Sequence, residues 1–101
     1  MIRHVVMFKF KEFAEGRGKA ENIAITKEML EALPNSIPQI LKSEVHVSDY
    51  VKDEFDYDLL LISDFENADE LAIYLEHPEH KKVGAFMRPV RISRACVDFD
   101  I

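Results

Sequence analysis

Ile2-Arg3-His4-Val5-Val6-Met7-Phe8-Lys9-Phe10 alternates with a period of two, the spacing of a β-strand. Ile2, His4, Val6, Phe8 and Phe10 fall to one side, and Arg3, Val5, Met7 and Lys9 to the other. The first side is apolar apart from His4, and the second is apolar in its middle. A strand with something to bury on both faces is covered twice, by helices on one side and by something else on the other.

Residues 12–19, with Gly16 and Gly18 among charged residues, read as a flexible connection. From Lys19 to Leu33 the period becomes helical, with Ala20, Ile23, Leu30 and Leu33 on one stripe, and Pro34 is expected to stop the helix. A second strand runs roughly over 40–48, with Leu41, Val45 and Val47 reaching a core. The acidic stretch Asp49–Asp56 reads as an exposed loop, without the Gly-centred spacing of a calcium site. Residues 57–65 form a near-continuous apolar strand. Asn67 with Glu70 marks a helix start, with Ala68, Leu71, Ala72 and Leu75 as the buried stripe and Tyr74 at its border. Pro78 ends that helix and opens a short helical turn over 79–86, and Pro89 marks a further break. The last strand, Ile92 to Asp100, alternates Ala95, Val97 and Phe99 against Arg94, Cys96 and Asp98.

The order is β-α-β-β-α-β, which predicts an α+β, ferredoxin-like sandwich with both helices on one face of an antiparallel sheet. The other face would carry Val5, Met7, Leu60, Ile62, Ala95 and Val97, and an apolar face of that size does not stay in water. Pairing it with the same face of a second copy gives a two-fold homodimer through the helix-free sheet face.

Composition narrows the partners. At 101 residues the expectation is one domain over 1–101. A formal charge of −6 argues against nucleic acid and against an anionic membrane surface. The lone Cys96 excludes an internal disulfide and a cysteine-rich zinc site. No apolar run nears the roughly 20 residues that cross a bilayer, and no secretory signal is evident, so a cytoplasmic location is expected.

Chemistry concentrates over 71–86, where Tyr74, His77 and His80 fall close together with Pro78 between the histidines. His80, with an ordinary pKa near 6.5, suits a general base, and Tyr74 suits holding or protonating a carbonyl oxygen as an enolate forms. The alternative is structural: His80 buttresses a helix turn and Tyr74 bridges core and solvent. His77 is assigned a structural role beside Pro78. His4 is either a hydrogen-bonded core histidine or a pocket residue. No carboxylate stands at a ligand spacing beside these histidines, so no metal is expected. Without a flavin, nucleotide or heme signature, no cofactor is expected either. Arg94 by default pairs with a carboxylate at the sheet edge, or else faces the cleft and holds an acidic ligand. Cys96 reads as a small core residue.

His4-Val5-Val6-Met7-Phe8-Lys9-Phe10-Lys11, Tyr57-Asp58-Leu59, His77-Pro78-Glu79-His80 and Val97-Asp98-Phe99 together resemble the stress-responsive A/B barrel domain (Dabb) family, over essentially the whole chain. The resemblance implies a ferredoxin-like protomer in a dimeric α+β barrel, two sheets closing face to face. Family members include plant stress-associated proteins, bacterial proteins without an assigned activity, and a plant polyketide cyclase. That enzyme's acid–base pair implies Tyr74 and His80 here, with His4 as a pocket residue. Leu59 stands where it has a pocket histidine, and its tryptophan near the last strand has no counterpart. Two functions follow: binding of a small hydrophobic or aromatic molecule, or cofactor-independent acid–base catalysis, cyclase- or isomerase-like. The pocket expected is lined by Val6, Phe8, Leu30, Leu71, Val83 and Phe86, with His4, Tyr74, His80 and Arg94 converging on it.

Overall fold

β1 (Ile2–Phe10) is an inner strand, as a segment apolar on both faces should be. It pairs antiparallel with β5 (Leu59–Phe65) on one edge and β6 (Arg91–Asp100) on the other. β4 (Lys42–Val47) pairs beyond β5, giving the sheet order β4-β5-β1-β6. The structure, a computed structural model, describes residues 1–101. Three helices, α1 (Lys19–Ser36), α2 (Ala68–Glu76) and α3 (Pro78–Val90), complete a ferredoxin-like α+β fold. None of them is long and apolar enough to cross a membrane.

His4, Val6, Phe8 and Phe10 are buried, and the three apolar ones pack with Leu59, Leu61 and Phe65 of β5. Leu30 and Leu33 of α1, Leu71 and Tyr74 of α2, and Val83, Met87 and Val90 of α3 close the core from above. The opposite face is open. There Met7 is 36% exposed, Val97 56% and Phe99 44%. Asp58, itself buried, fastens the end of β1: it accepts a hydrogen bond from the Phe10 amide at 2.8 Å and faces the Lys19 ammonium at 3.7 Å.

Local readings and structure part in several places. Residues 12–19 are not a loose connection but a two-strand ribbon, β2 (Phe13–Ala14) and β3 (Arg17–Gly18), turned by Glu15 and Gly16 with φ of 54° and 75°. Two successive left-handed residues make the tight hairpin turn whose twist suits antiparallel strands. Asn22, fully buried, ties the ribbon to α1: its Nδ2 donates to the Ala14 carbonyl at 3.2 Å and its Oδ1 accepts from Arg17 Nε at 2.7 Å. The buried face of α1 is therefore Asn22, Thr26, Leu30 and Leu33, with Ala20 exposed. α1 also runs through Pro34 to Ser36, and α3 runs through Pro89 to Val90. A proline in a final turn removes one helical hydrogen bond, and buried Ile37 and Val90 hold the ends in place. In α2, Tyr74 sits in the buried stripe rather than at its border, while Ala68 and Ala72 are exposed. Leu41 lies outside β4 and is 54% exposed, and Cys96 is exposed rather than a core residue.

Candidate functional site

The two histidines of His77-Pro78-Glu79-His80 take different positions because Pro78 starts a new helix between them. Proline's fixed φ suits the first helical position, where its missing N–H would have been unpaired. His77 closes α2 through its amide on the Tyr74 carbonyl at 3.1 Å and caps α3, its Nδ1 accepting from the Glu79 amide at 3.1 Å. That is the structural role assigned to it. His80 instead turns inward from the first turn of α3. Its Nδ1 lies 3.2 Å from the Leu75 carbonyl. A carbonyl can only accept, so Nδ1 carries the proton and Nε2 keeps its lone pair.

Burial holds the His80 imidazole below its ordinary pKa; the Leu75 bond opposes this, while His4 and Arg94 add to it. His80 is therefore neutral at neutral pH. The Tyr74 ring packs 4.5 Å from the His80 ring and 4.9 Å from Phe65, centroid to centroid. Burial pushes the Tyr74 phenol up to about 12, so it stays protonated. Its hydroxyl makes no hydrogen bond within the chain, yet no polar side-chain atom is sealed off without a partner. The hydroxyl must then open onto the adjoining cleft, which Tyr74 lines.

That cleft, about 270 Å³, lies between the sheet and α1 and α3. His4 enters it from β1, where Asp98 of β6 is its register partner and holds its Nδ1 at 2.5 Å. A carboxylate accepts, so Nδ1 donates and Nε2 is free. This supplies the carboxylate beside a histidine that sequence spacing did not show. With Cys96, the three donor atoms lie within 4.8 Å of one another, a set able to contact a cation. Although Cys96 is exposed, partial desolvation and then Asp98 raise its thiol, which disfavours the thiolate a metal prefers.

Of the expected lining, His4, Val6, Phe8, Leu30, Tyr74, His80, Val83 and Arg94 border the cleft. Leu59, Leu71 and Phe86 do not. Leu59 and Leu71 are spent in the core, and Phe86 packs under the Arg17 guanidinium at 5.2 Å. Leu61, Gly84, Met87, Arg88 and Arg91 take part instead. Arg94 is in no salt bridge, so the default of an edge ion pair is overturned. The available signal was three arginines at 88, 91 and 94 in an acidic chain.

Comparison with known proteins follows the same outline. The family model described as Stress Responsive A/B Barrel Domain matches residues 2–101. A dimeric protein of unknown function and ferredoxin-like fold from Bacteroides fragilis is 31% identical, covers 99% of this chain and 95% of its own, and superposes with a TM-score of 0.79. A dimeric ferredoxin-like protein of unknown function from Thermobifida fusca is 22% identical, with coverage of 99% and 90% and a TM-score of 0.84. A hydroxynitrile lyase from Passiflora edulis shares the fold at 16% identity, 99% and 92% coverage, and a TM-score of 0.80. No curated protein matches this chain.

Proposed function

Since the chain belongs to the stress-responsive A/B barrel domain family, we propose that its cleft binds a small hydrophobic or aromatic molecule. The observation that carries this is a cleft of about 270 Å³, walled in part by apolar side chains, into which the Tyr74 hydroxyl opens, with the His80 imidazole beside it. Val6, Phe8, Leu30 and Val83 supply apolar walls, and the polar groups fix orientation, the usual division of labour in a small-molecule site. The working unit is a homodimer closed through the helix-free sheet face, as the exposed Met7, Val97 and Phe99 favour and as the dimeric Bacteroides relative supports. A free, exposed Cys96 suits the reducing cytoplasm.

The second reading is acid–base catalysis without a cofactor. His80 Nε2 takes a proton from a carbon next to a carbonyl, the electron pair moves onto the carbonyl oxygen, and the Tyr74 hydroxyl donates to that oxygen. What favours it is that burial keeps His80 neutral as a base and Tyr74 protonated as a donor. The test is to identify small molecules that co-purify with the protein, then measure affinity and turnover for His80→Ala and Tyr74→Phe. Binding predicts weaker affinity in both. Catalysis predicts turnover that falls by about 100-fold or more when either group is lost. Affinity and turnover unchanged in both variants would make the site structural.

A further inference from the structure

The cleft that the proposed function assigns to a hydrophobic ligand has a charged mouth. Arg88, Arg91 and Arg94 all border it, three of the five arginines in the chain, and no aspartate or glutamate lines it. The molecule as a whole carries 19 acidic side chains against 13 basic ones. A random patch of its surface would be acidic or mixed.

Two further features set these arginines apart. None is in a salt bridge, whereas Arg3 grips Asp64 with two hydrogen bonds at 2.8 and 3.0 Å. Arg88 alone has a local explanation, since it lies in the last turn of α3, where the helix dipole favours a cation. Arg91 and Arg94 have no such explanation. Three residues apart on a regular strand, they would point to opposite faces. The β1–β6 register shifts between Lys9 and Phe10, so that Arg91 pairs with Phe10 and Arg94 with Phe8, both partners pointing toward the helices. The extra residue, Ile92, turns outward and is 60% exposed. A bulge that re-aims a side chain beside a cleft is a recurrent device at functional sites. Here it puts two guanidiniums on the same side of the sheet, next to a third, at a cost in mutual repulsion.

Building on the hydrophobic-cleft reading, we infer that the ligand is amphipathic: its apolar body lies against Val6, Leu30 and Val83, and a carboxylate or phosphate at its end is held by Arg88, Arg91 and Arg94. Guanidinium forks match the two oxygens of such groups bidentately.

The test is calorimetric titration of the full chain with a matched pair, 4-phenylbutyrate and 4-phenylbutanamide, and with phenyl phosphate, at low and high ionic strength. The acid should bind at least about tenfold more tightly than the amide, with the gap shrinking as salt rises. In R88Q/R91Q/R94Q the gap should close while amide affinity stays put; R94Q alone should close part of it, and K27Q none. Stronger binding of phenyl phosphate than of phenylbutyrate would identify the anion as a phosphate, and the reverse as a carboxylate; either supports the inference. Equal binding of acid and amide to the wild type overturns the anion site and leaves the hydrophobic cleft standing. Failure of all three probes to bind overturns the cleft reading, and the anion site with it.

Discussion

On one side of β1, His4, Val6, Phe8 and Phe10 lie under the helices, the most exposed of them at 7%; on the other, Met7 is 36% exposed and Val97 on the neighbouring strand 56%. Both sides are apolar, so composition does not choose between them. Chain connection does. β1 reaches the parallel β4 through α1, and β5 reaches the parallel β6 through α2 and α3. Crossovers between parallel strands are right-handed, which puts all the helices on one face. The helices and the cleft therefore share a side, and the other side is left open, the face through which the proposed dimer would close.

The largest break in this comparison comes from equal truncations on each face. Phe65→Ala, at a fully buried position, should lower the unfolding free energy by about 3–5 kcal/mol. Phe99→Ala should cost the isolated protomer less than about 1 kcal/mol. Urea midpoints measured below the dissociation concentration decide it, and equal losses would mean that the two faces are not different in kind. Next, Val97→Asp places a charge in the proposed interface twice over. Self-association should weaken by roughly a hundredfold or more in sedimentation, while the helical circular dichroism of the protomer persists.

Acid titration separates the faces by pH. On the covered face, the His80 imidazole is depressed in the folded chain, so the unfolded chain takes up its proton first. Its contribution is present above about pH 6.5 and is lost as pH falls through the folded value. On the open face, the hydrogen bonds from Arg3 hold the Asp64 carboxyl below its usual range. That contribution is present above about pH 3.9 and is lost only as pH falls through a lower value. Thermal midpoints against pH should show two separate declines. His80→Gln should remove the upper one and Asp64→Asn the lower.

The smallest effect sharpens the cleft itself. A Cβ at Gly84, in the middle of α3, would meet nothing nearer than Arg88 Nη2 at 4.0 Å. Gly84→Ala should raise stability by about 0.5–1 kcal/mol, through helix propensity, without closing the cleft. A drop in the melting midpoint would show that the space beside Gly84 does not admit a methyl group.

The readable parts of this protein were local ones. Alternation in β1, the Asn67 cap accepting from the Glu70 amide at 3.0 Å, and Pro78 opening α3 each depend on residues within about one helical turn or one strand. Less legible was a buried face built with polar residues. Asn22 and Thr26 carry no hydrophobic signal, and only the hairpin carbonyl above Asn22 explains why an amide is buried there. His77 and His80 were both visible as candidates, and only the packing of α3 on α2 made one a cap and the other a cleft residue.

The sequence by itself determined the four long strands, the crossover helices α1 and α2 and their order, the two-sided strand and therefore the ferredoxin-like sandwich, because hydrophobic period and chain chirality act through short-range sterics. Only the tertiary structure decided that Asp98 would hold His4 across 94 residues of chain, and that a bulge at the foot of β6 would turn Arg91 and Arg94 the same way. Those outcomes depend on the register between strands distant in sequence, and register is set by the packed sheet as a whole.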